Sequence, residues 1–357
     1  MKKPALKSLV KRRKKAPEVP TRITNDTVAE HRERILAGGR RYKYPVQYAR
    51  HKLVLNALLI VLVSAIVLVL LVWWQLYLVQ SSNSLMYRIT RIFPLPVAQV
   101  DGEPVYYSDY LSRYRPSEYY LSIYDETKAD SESGKSQLAY TKRQALNTAE
   151  ADAYAEKIAK DLGVTVSEQD VDAVIDRQRN MANGRISQET YEASTRMILG
   201  WTSEDLRSAM RKSALRIRVA FEVDRSADEM QQKAARLLRE TGGDLDRVAA
   251  ELDTGLPEGR VQVATSGLIY NTASLGGLQV SEVAKLEVGG VSGAMRSTTD
   301  HGYYFVKVLE KNDKQVNFQY LHIPLTEFKS QFEKLRSDNK IKEFISVPEV
   351  EQPQGVN

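Results

Sequence analysis

The chain has 357 residues, 51 Lys and Arg against 45 Asp and Glu, and no cysteine. Such a length suggests about two domains, and the missing cysteine excludes a disulfide framework, a thiolate metal site and a cysteine nucleophile. The net charge of +6 is a poor guide to partners, because residues 1–52 carry 16 basic and 4 acidic side chains (+12) and the remainder 35 and 41 (−6).

Residues 1–52 contain the run Lys11–Lys15 and few large apolar side chains. They cannot bury enough apolar surface to order themselves and are predicted to be a disordered basic tail. Its roles, in order of preference, are a topology determinant, contact with anionic lipid headgroups, and non-specific nucleic-acid binding, the least favoured. No charged residue follows until Arg88, and the apolar run Leu53–Val79 is broken only by Asn56, Ser64 and Gln75. About 20 apolar residues span a bilayer, so residues 53–80 are predicted to be one transmembrane helix, with Trp73, Trp74 and Tyr77 at the interface. A cleaved signal peptide has a shorter apolar core and a small-residue cleavage site. The basic excess ahead of the span places residues 1–52 in the cytoplasm and the rest outside, as in a single-pass cell-membrane protein.

Beyond the linker 81–96, Asp101-Gly102 between two β-prone runs is a hairpin signal. Ser108 reads as the cap of a tyrosine-rich helix to about Tyr124, and a long helix follows from about 136 to 162, stopped by Gly163. Ser167 with Asp170, and Thr202 with Asp205, are capping-box-like starts, with a short helix from about Ser187 between them. Ser226–Glu229 opens another helix to about Glu240, and 244–252 is a short one. β-prone runs then lie at 261–265, 267–270, 289–295, 303–309 and 318–325, with a short helix at about 280–286 and a last helix reaching about Ile345. The whole is α+β: one transmembrane helix, a helical region at 97–224 and a small α+β domain at 225–346.

This order resembles the extracytoplasmic foldases that join a SurA-like helical chaperone region to a parvulin (PpiC-type) peptidyl-prolyl isomerase. The resemblance runs through Val97–Val105, Ala155–Asp170, Gly200–Leu206, Asp244–Leu252, the Leu286-Glu287-Val288-Gly289-Gly290-Val291-Ser292-Gly293 stretch and Gly302–Leu309. Two departures bear on chemistry. The family's last strand usually reads Gly-Tyr-His, and here the third position is Tyr304. The family's opening strand with a His-Ile pair is missing before Ser226, whereas His322-Ile323 occurs later. The segment 317–325 either begins a truncated second repeat or folds back to complete the sheet. The second is preferred, because a missing central strand leaves ladder groups unpaired.

The resemblance implies a protein-folding factor that binds unfolded or proline-containing chains, with rotamase (prolyl isomerase) activity, or a non-catalytic holdase or envelope adaptor that kept the fold alone. Candidate catalytic residues are His322, Tyr304 and His301. Candidate peptide contacts are Met295, Tyr303, Phe305, Tyr110 and Tyr114, since tyrosine offers an apolar ring with a wet hydroxyl. Tyr303 and Tyr304 alternate on a strand, which predicts one in the core and one toward solvent. No cofactor or metal is expected. Hydrolase, zincin, P-loop and dinucleotide motifs do not occur in the sequence.

Overall fold

The computed structural model describes residues 23–43, 45–124, 131–181, 184–253 and 261–349. The chain divides into Met1–Val72 and Trp73–Asn357. In the first unit, helices α1 (Asn25–Lys43) and α2 (Pro45–Trp73) follow one another. The disorder expected of the tail is overturned over Asn25–Lys43; residues 1–22 lie outside the described set. The sequence carries the local reason. Thr24 donates its N–H to Thr27 Oγ1 at 2.9 Å, Asp26 complements the helix dipole, and Ala, Glu, Arg and Leu are good helix formers. The most apolar 18-residue window of His51–Leu78 has a mean hydropathy of 3.1 and none of it is buried. The stretch is long and apolar enough to cross a membrane, as a span or signal anchor.

The second unit begins with a π-helical turn, Trp74–Leu78, and a short helix α3 (Ser84–Ile92) capped by Asn83. Strands β1 (Pro96–Val100) and β2 (Glu103–Tyr106) form the hairpin at Asp101-Gly102, where both residues take positive φ (+46° and +89°). Then come α4 (Tyr107–Tyr124), α5 (Glu132–Leu162), α6 (Glu168–Gln178), the two-residue strands β3 and β4 (Asn180–Met181, Gly184–Arg185), α7 (Gln188–Leu199) and α8 (Ser203–Val223). Ser167–Asp170 and Thr202–Asp205 are reciprocal capping boxes, and α5 ends on left-handed Gly163. Strand β2 runs directly into α4, so Ser108 is no cap. Tyr107, Tyr110 and Tyr114 form an edge-to-face then stacked ladder in the core, and the Tyr107 hydroxyl donates to the Leu76 carbonyl at 2.5 Å. Buried Asp152 receives Arg113 and Arg216, each at 2.6 Å, tying α4 and α8 to α5.

Helices α9 (Arg225–Glu240) and α10 (Leu245–Leu252) lead into a sheet of β5 (Gln262–Thr265), β11 (Gln315–Pro324), β10 (Gly302–Lys311) and β9 (Met295–Arg296), in that spatial order. Strand β6 (Ile269–Tyr270) also pairs with β11, all antiparallel. The β7–β8 hairpin (Ser274–Leu275, Leu278–Gln279) and α11 (Val280–Val283) complete this part. Strand β11 is central, with Leu321 opposite both Val263 and Phe305. One face packs Tyr303, Phe305, Leu321 and Ile323 against α9 and α10. The other packs Tyr304, Val306, Val308 and Phe318 against Leu278, Val280 and Val283. The expectation that one of Tyr303 and Tyr304 faces solvent is therefore wrong: both are buried, because both faces of the sheet are covered. Most of 289–295 is loop, with strand pairing only at Met295–Arg296 and a bridge at Val291.

The last helix, α12 (Glu327–Ser337), ends earlier than expected, and β12 (Ile341–Glu343) pairs with β1, Ala98 opposite Glu343. The chain thus returns to the first sheet. Tyr154 of α5 contacts Phe328 and Phe332 of α12, with ring centroids 5.5 and 6.0 Å away. Arg143 pairs with Glu343 at 2.6 Å and donates to the Val347 carbonyl. The α9 cap is Asp224, not Ser226. Buried Asp224 accepts from Ala227 N–H at 2.9 Å through one oxygen, and from Thr326 and Glu327 N–H at 2.7 and 3.1 Å through the other. One carboxylate caps the starts of both α9 and α12.

Two outcomes follow for stability. Asp224→Ala removes two caps and orphans buried N–H groups, and denaturant unfolding is expected to register a loss of about 2–4 kcal/mol, with Asp224→Asn losing less. Glu150 is fully buried beside Arg336 (3.0 Å), and burial raises its pKa from 4.5 to about 7. Between those values the folded state holds a proton that the unfolded chain has released. Stability from this group is therefore full below the lower value and is lost as pH rises through the upper one. Glu150→Gln should gain about 1–3 kcal/mol relative to the unsubstituted protein between about pH 5 and about pH 8, measured by unfolding at both; an unchanged difference would contradict this.

Candidate functional site

The sequence-selected residues of the α+β part fall into two groups. His322 on β11 lies flat against Tyr304 on β10, ring centroids 4.6 Å apart and 20° from parallel, because the two are register partners. His322 Nε2 donates to the His301 carbonyl at 2.9 Å, a bond that leaves the lone pair on Nδ1. Burial holds the His322 pKa below its ordinary value, so the imidazole is neutral at physiological pH. His301 is exposed in the loop ahead of β10, with Nδ1 2.7 Å from Thr299 Oγ1. The Tyr304 hydroxyl donates to the Gly276 carbonyl at 3.2 Å, and burial raises its pKa. Gly276 has φ +54°, and any β-carbon there would strike the Tyr304 hydroxyl. The β7–β8 hairpin is thus seated on this ring by a glycine that only a missing side chain allows.

Met295 pairs across from Tyr304 and is partly exposed. Tyr320, two residues before His322 and on the same strand face, lies 5.9 Å from Tyr304. The sequence reading missed it, although strand alternation puts position 320 on the face of His322. An incoming chain can therefore touch His301, His322, Met295 and Tyr320.

Four expected peptide contacts are corrected. Phe305 (0% exposed), Tyr303 (2%), Tyr110 (1%) and Tyr114 (2%) are core side chains. The Tyr303 hydroxyl faces Asp228 of α9, and its ring is edge-on to Phe221. Tyr110 and Tyr114 belong to the internal ladder. Their helix does reach solvent further along, at Tyr119, Tyr120 and Ile123.

That end of α4 forms a cleft of about 350 Å³ with α3 and α7. Leu111, Pro116, Tyr119, Leu199 and Trp201 supply apolar walls, and Arg115 and Arg196 supply charge. Gly200, in the left-handed conformation at φ +67°, lets the Tyr119 ring lie against the backbone. Trp201 Nε1 donates to the Ser112 carbonyl at 3.2 Å. The Arg115 guanidinium sits 4.6 Å from the Tyr87 ring centroid and donates to Ser84 at 3.0 Å, while the Tyr87 hydroxyl donates to Asp205 at 2.7 Å. On the other side of Tyr87 a polar cleft of about 540 Å³ is lined by Arg91, Asp109, Glu204, Arg207 and Arg211. Met197 and Ile198, at the end of α7, extend the exposed apolar surface. The pair Gly200-Trp201 was visible in the sequence as a helix-start signature; that it opens a cleft depends on α4 crossing it.

Residues 48–220 match the family model of the SurA-like N-terminal domain. The match begins in α2 and ends in α8, so it contains the apolar helix, the hairpin and the cleft. It supports a chaperone-type folding factor. No curated protein matches the chain.

The stack makes a direct prediction. The NMR titration of His322 should have its midpoint below the ordinary imidazole value of about 6.5, and Tyr304→Ala, which admits water to the ring, should move it upward. A midpoint at or above the ordinary value would contradict the burial described here.

Proposed function

We propose that the protein is a membrane-anchored extracytoplasmic folding factor that holds unfolded or proline-containing chains in the cleft between α3, α4 and α7. The observation that carries this reading is the meeting of exposed Tyr119 and partly exposed Leu199 and Trp201 with Arg115 and Arg196 in one concave site within the SurA-like region. An extended peptide gains apolar contact from Tyr119 and Leu199, and its carbonyls find guanidinium donors. The bilayer anchor is residues 53–80, and the basic excess ahead of it favours a cytoplasmic N-terminus. The tail's side chains suit anionic lipid. The α+β part at 225–346 is read as a divergent parvulin-like domain in which 317–325 supplies the central strand.

Prolyl isomerisation is the second reading, favoured by the neutral His322–Tyr304 pair beside Met295 and Tyr320. Rotation about the prolyl amide needs no covalent step; a catalyst lowers a barrier of about 18–20 kcal/mol by binding the twisted amide better than the planar one. A neutral imidazole with a free lone pair and an aromatic wall can desolvate a proline and bond one backbone N–H.

Both are tested on the full chain in lipid nanodiscs. The unsubstituted protein should suppress aggregation of an unfolded client, and Tyr119→Ala with Leu199→Ala should weaken client binding at least about tenfold at an unchanged melting temperature. Suppression unaffected by the pair would remove the cleft from the proposal. For isomerisation, cis–trans exchange of a proline peptide should accelerate over buffer and lose the acceleration in His322→Ala; no acceleration leaves holding as the only activity.

A further inference from the structure

We infer that α3 lies in the bilayer interface on the side where the apolar helix ends, as a second lipid contact that fixes the body against the membrane; this rests on the reading of 53–80 as a span. Met86 and Thr90 bury one face of α3 in the helical region. Leu85 (63% exposed), Arg88 and Ile92 (72%), at i, i+3 and i+7, share the opposite face, followed by Phe93 (58%). Two large aliphatic side chains and a phenyl ring on the outside of a nine-residue helix are not needed by the core.

The position of this helix says what covers that face. The apolar stretch ends at Leu78, and α3 begins at Ser84. Exposed Trp73, Trp74, Leu78 and Val79 lie at the end of that stretch, and indoles are enriched at the headgroup level. Both ends of α3 are tied back to the same turn. At its start, the Asn83 amide donates to Ser81 at 2.9 Å, and Ser81 N–H donates to the Gln75 carbonyl at 2.9 Å. Beyond its finish, the Tyr77 hydroxyl donates to the Pro96 carbonyl at 2.6 Å. The helix therefore cannot drift away from the point where the chain leaves the apolar run. Arg88, exposed between Leu85 and Ile92, is placed for lipid phosphate, whereas Arg91 is held by Glu204 at 2.6 Å. A short helix with aliphatic and aromatic side chains around a cation sits about 5–10 Å into the headgroup–acyl boundary.

The chain has no cysteine, so single cysteines can be placed and labelled without background. Leu85→Cys, Ile92→Cys and Phe93→Cys, with Ser64→Cys in the apolar run and Glu229→Cys on exposed α9 as references, are labelled with an environment-sensitive fluorophore. Each full-length variant is reconstituted at low protein density in vesicles of equimolar phosphatidylethanolamine and phosphatidylglycerol. Nitroxide lipids labelled either near the headgroup or near the chain end are added. Emission from the three α3 positions should shift to the blue and be lost to the shallow nitroxide more than to the deep one, with Ser64 showing the reverse order and Glu229 neither. If Ser64 is quenched at depth while the α3 positions behave like Glu229, the interfacial contact is wrong and the span stands. If Ser64 is not quenched, the span fails and this inference falls with it. A blue shift at α3 that neither nitroxide quenches would mean burial against protein, such as a second copy, and would also overturn it.

Discussion

The α+β part is entered and left at one buried carboxylate. Where α8 gives way to α9 the chain leaves the helical region, and where β11 gives way to α12 it comes back; Asp224 caps the helix at each crossing. Free N–H groups at a helix start are costly when water is excluded, and one side chain answers two such starts. The crossings are thereby held side by side. The return of α12 to Tyr154 and of β12 to β1 depends on that placement. So does the orientation of α9 against the sheet that carries His322.

A second constraint acts on the sheet itself. Both of its faces are covered, which turns an alternating strand into a run of buried side chains from Gly302 to Val306. That is why Tyr303 and Phe305 are unavailable to a ligand and why His322 is held neutral beside a buried phenol. The accessible chemistry is displaced to the rim, at His301, Met295 and Tyr320. In the helical region the same principle separates the tyrosines of α4 by turn: Tyr107, Tyr110 and Tyr114 are internal, and Tyr119 and Tyr120 reach the surface.

Much of the architecture was legible because it is encoded locally. Asp101-Gly102, Ser167–Asp170, Thr202–Asp205 and Gly163 act through backbone geometry within a few residues, and each stands where the spacing put it. The apolar run could be read without any context. What failed depends on distant chain. Ser226 was read as the start of α9 in place of Asp224, whose second set of partners lies in α12. Ile341–Glu343 looked helical because the strand it joins is β1. Tyr110 and Tyr114 looked like surface because nothing in their own segment reveals α5 packed over them. The tail departs in the opposite sense: a start signal and helix-forming residues act within Asn25–Lys43, and a criterion of apolar burial does not register them. At the candidate site, His322 and Tyr304 were found through the resemblance, as the displaced His-Ile pair and the third position of the Gly-Tyr-His pattern, but the cleft at Tyr119 and Trp201 was not, since a concavity between three helices has no signature in any one of them.

The pairing of β12 with β1 has a consequence for the order of events during synthesis. Ala98 is made long before its partner Glu343 emerges. Until then the first hairpin presents an open edge, and open edges recruit strands indiscriminately. The helical region can condense as its helices emerge, but its sheet stays unfinished for as long as the α+β part is being made. A nascent chain that stalls or is cut between α8 and residue 341 would thus carry the helical region, with the cleft at Tyr119, and an unclosed edge beside it. Synthesis through β12 is what retires that edge, so arrival of that strand serves as a built-in check on maturity.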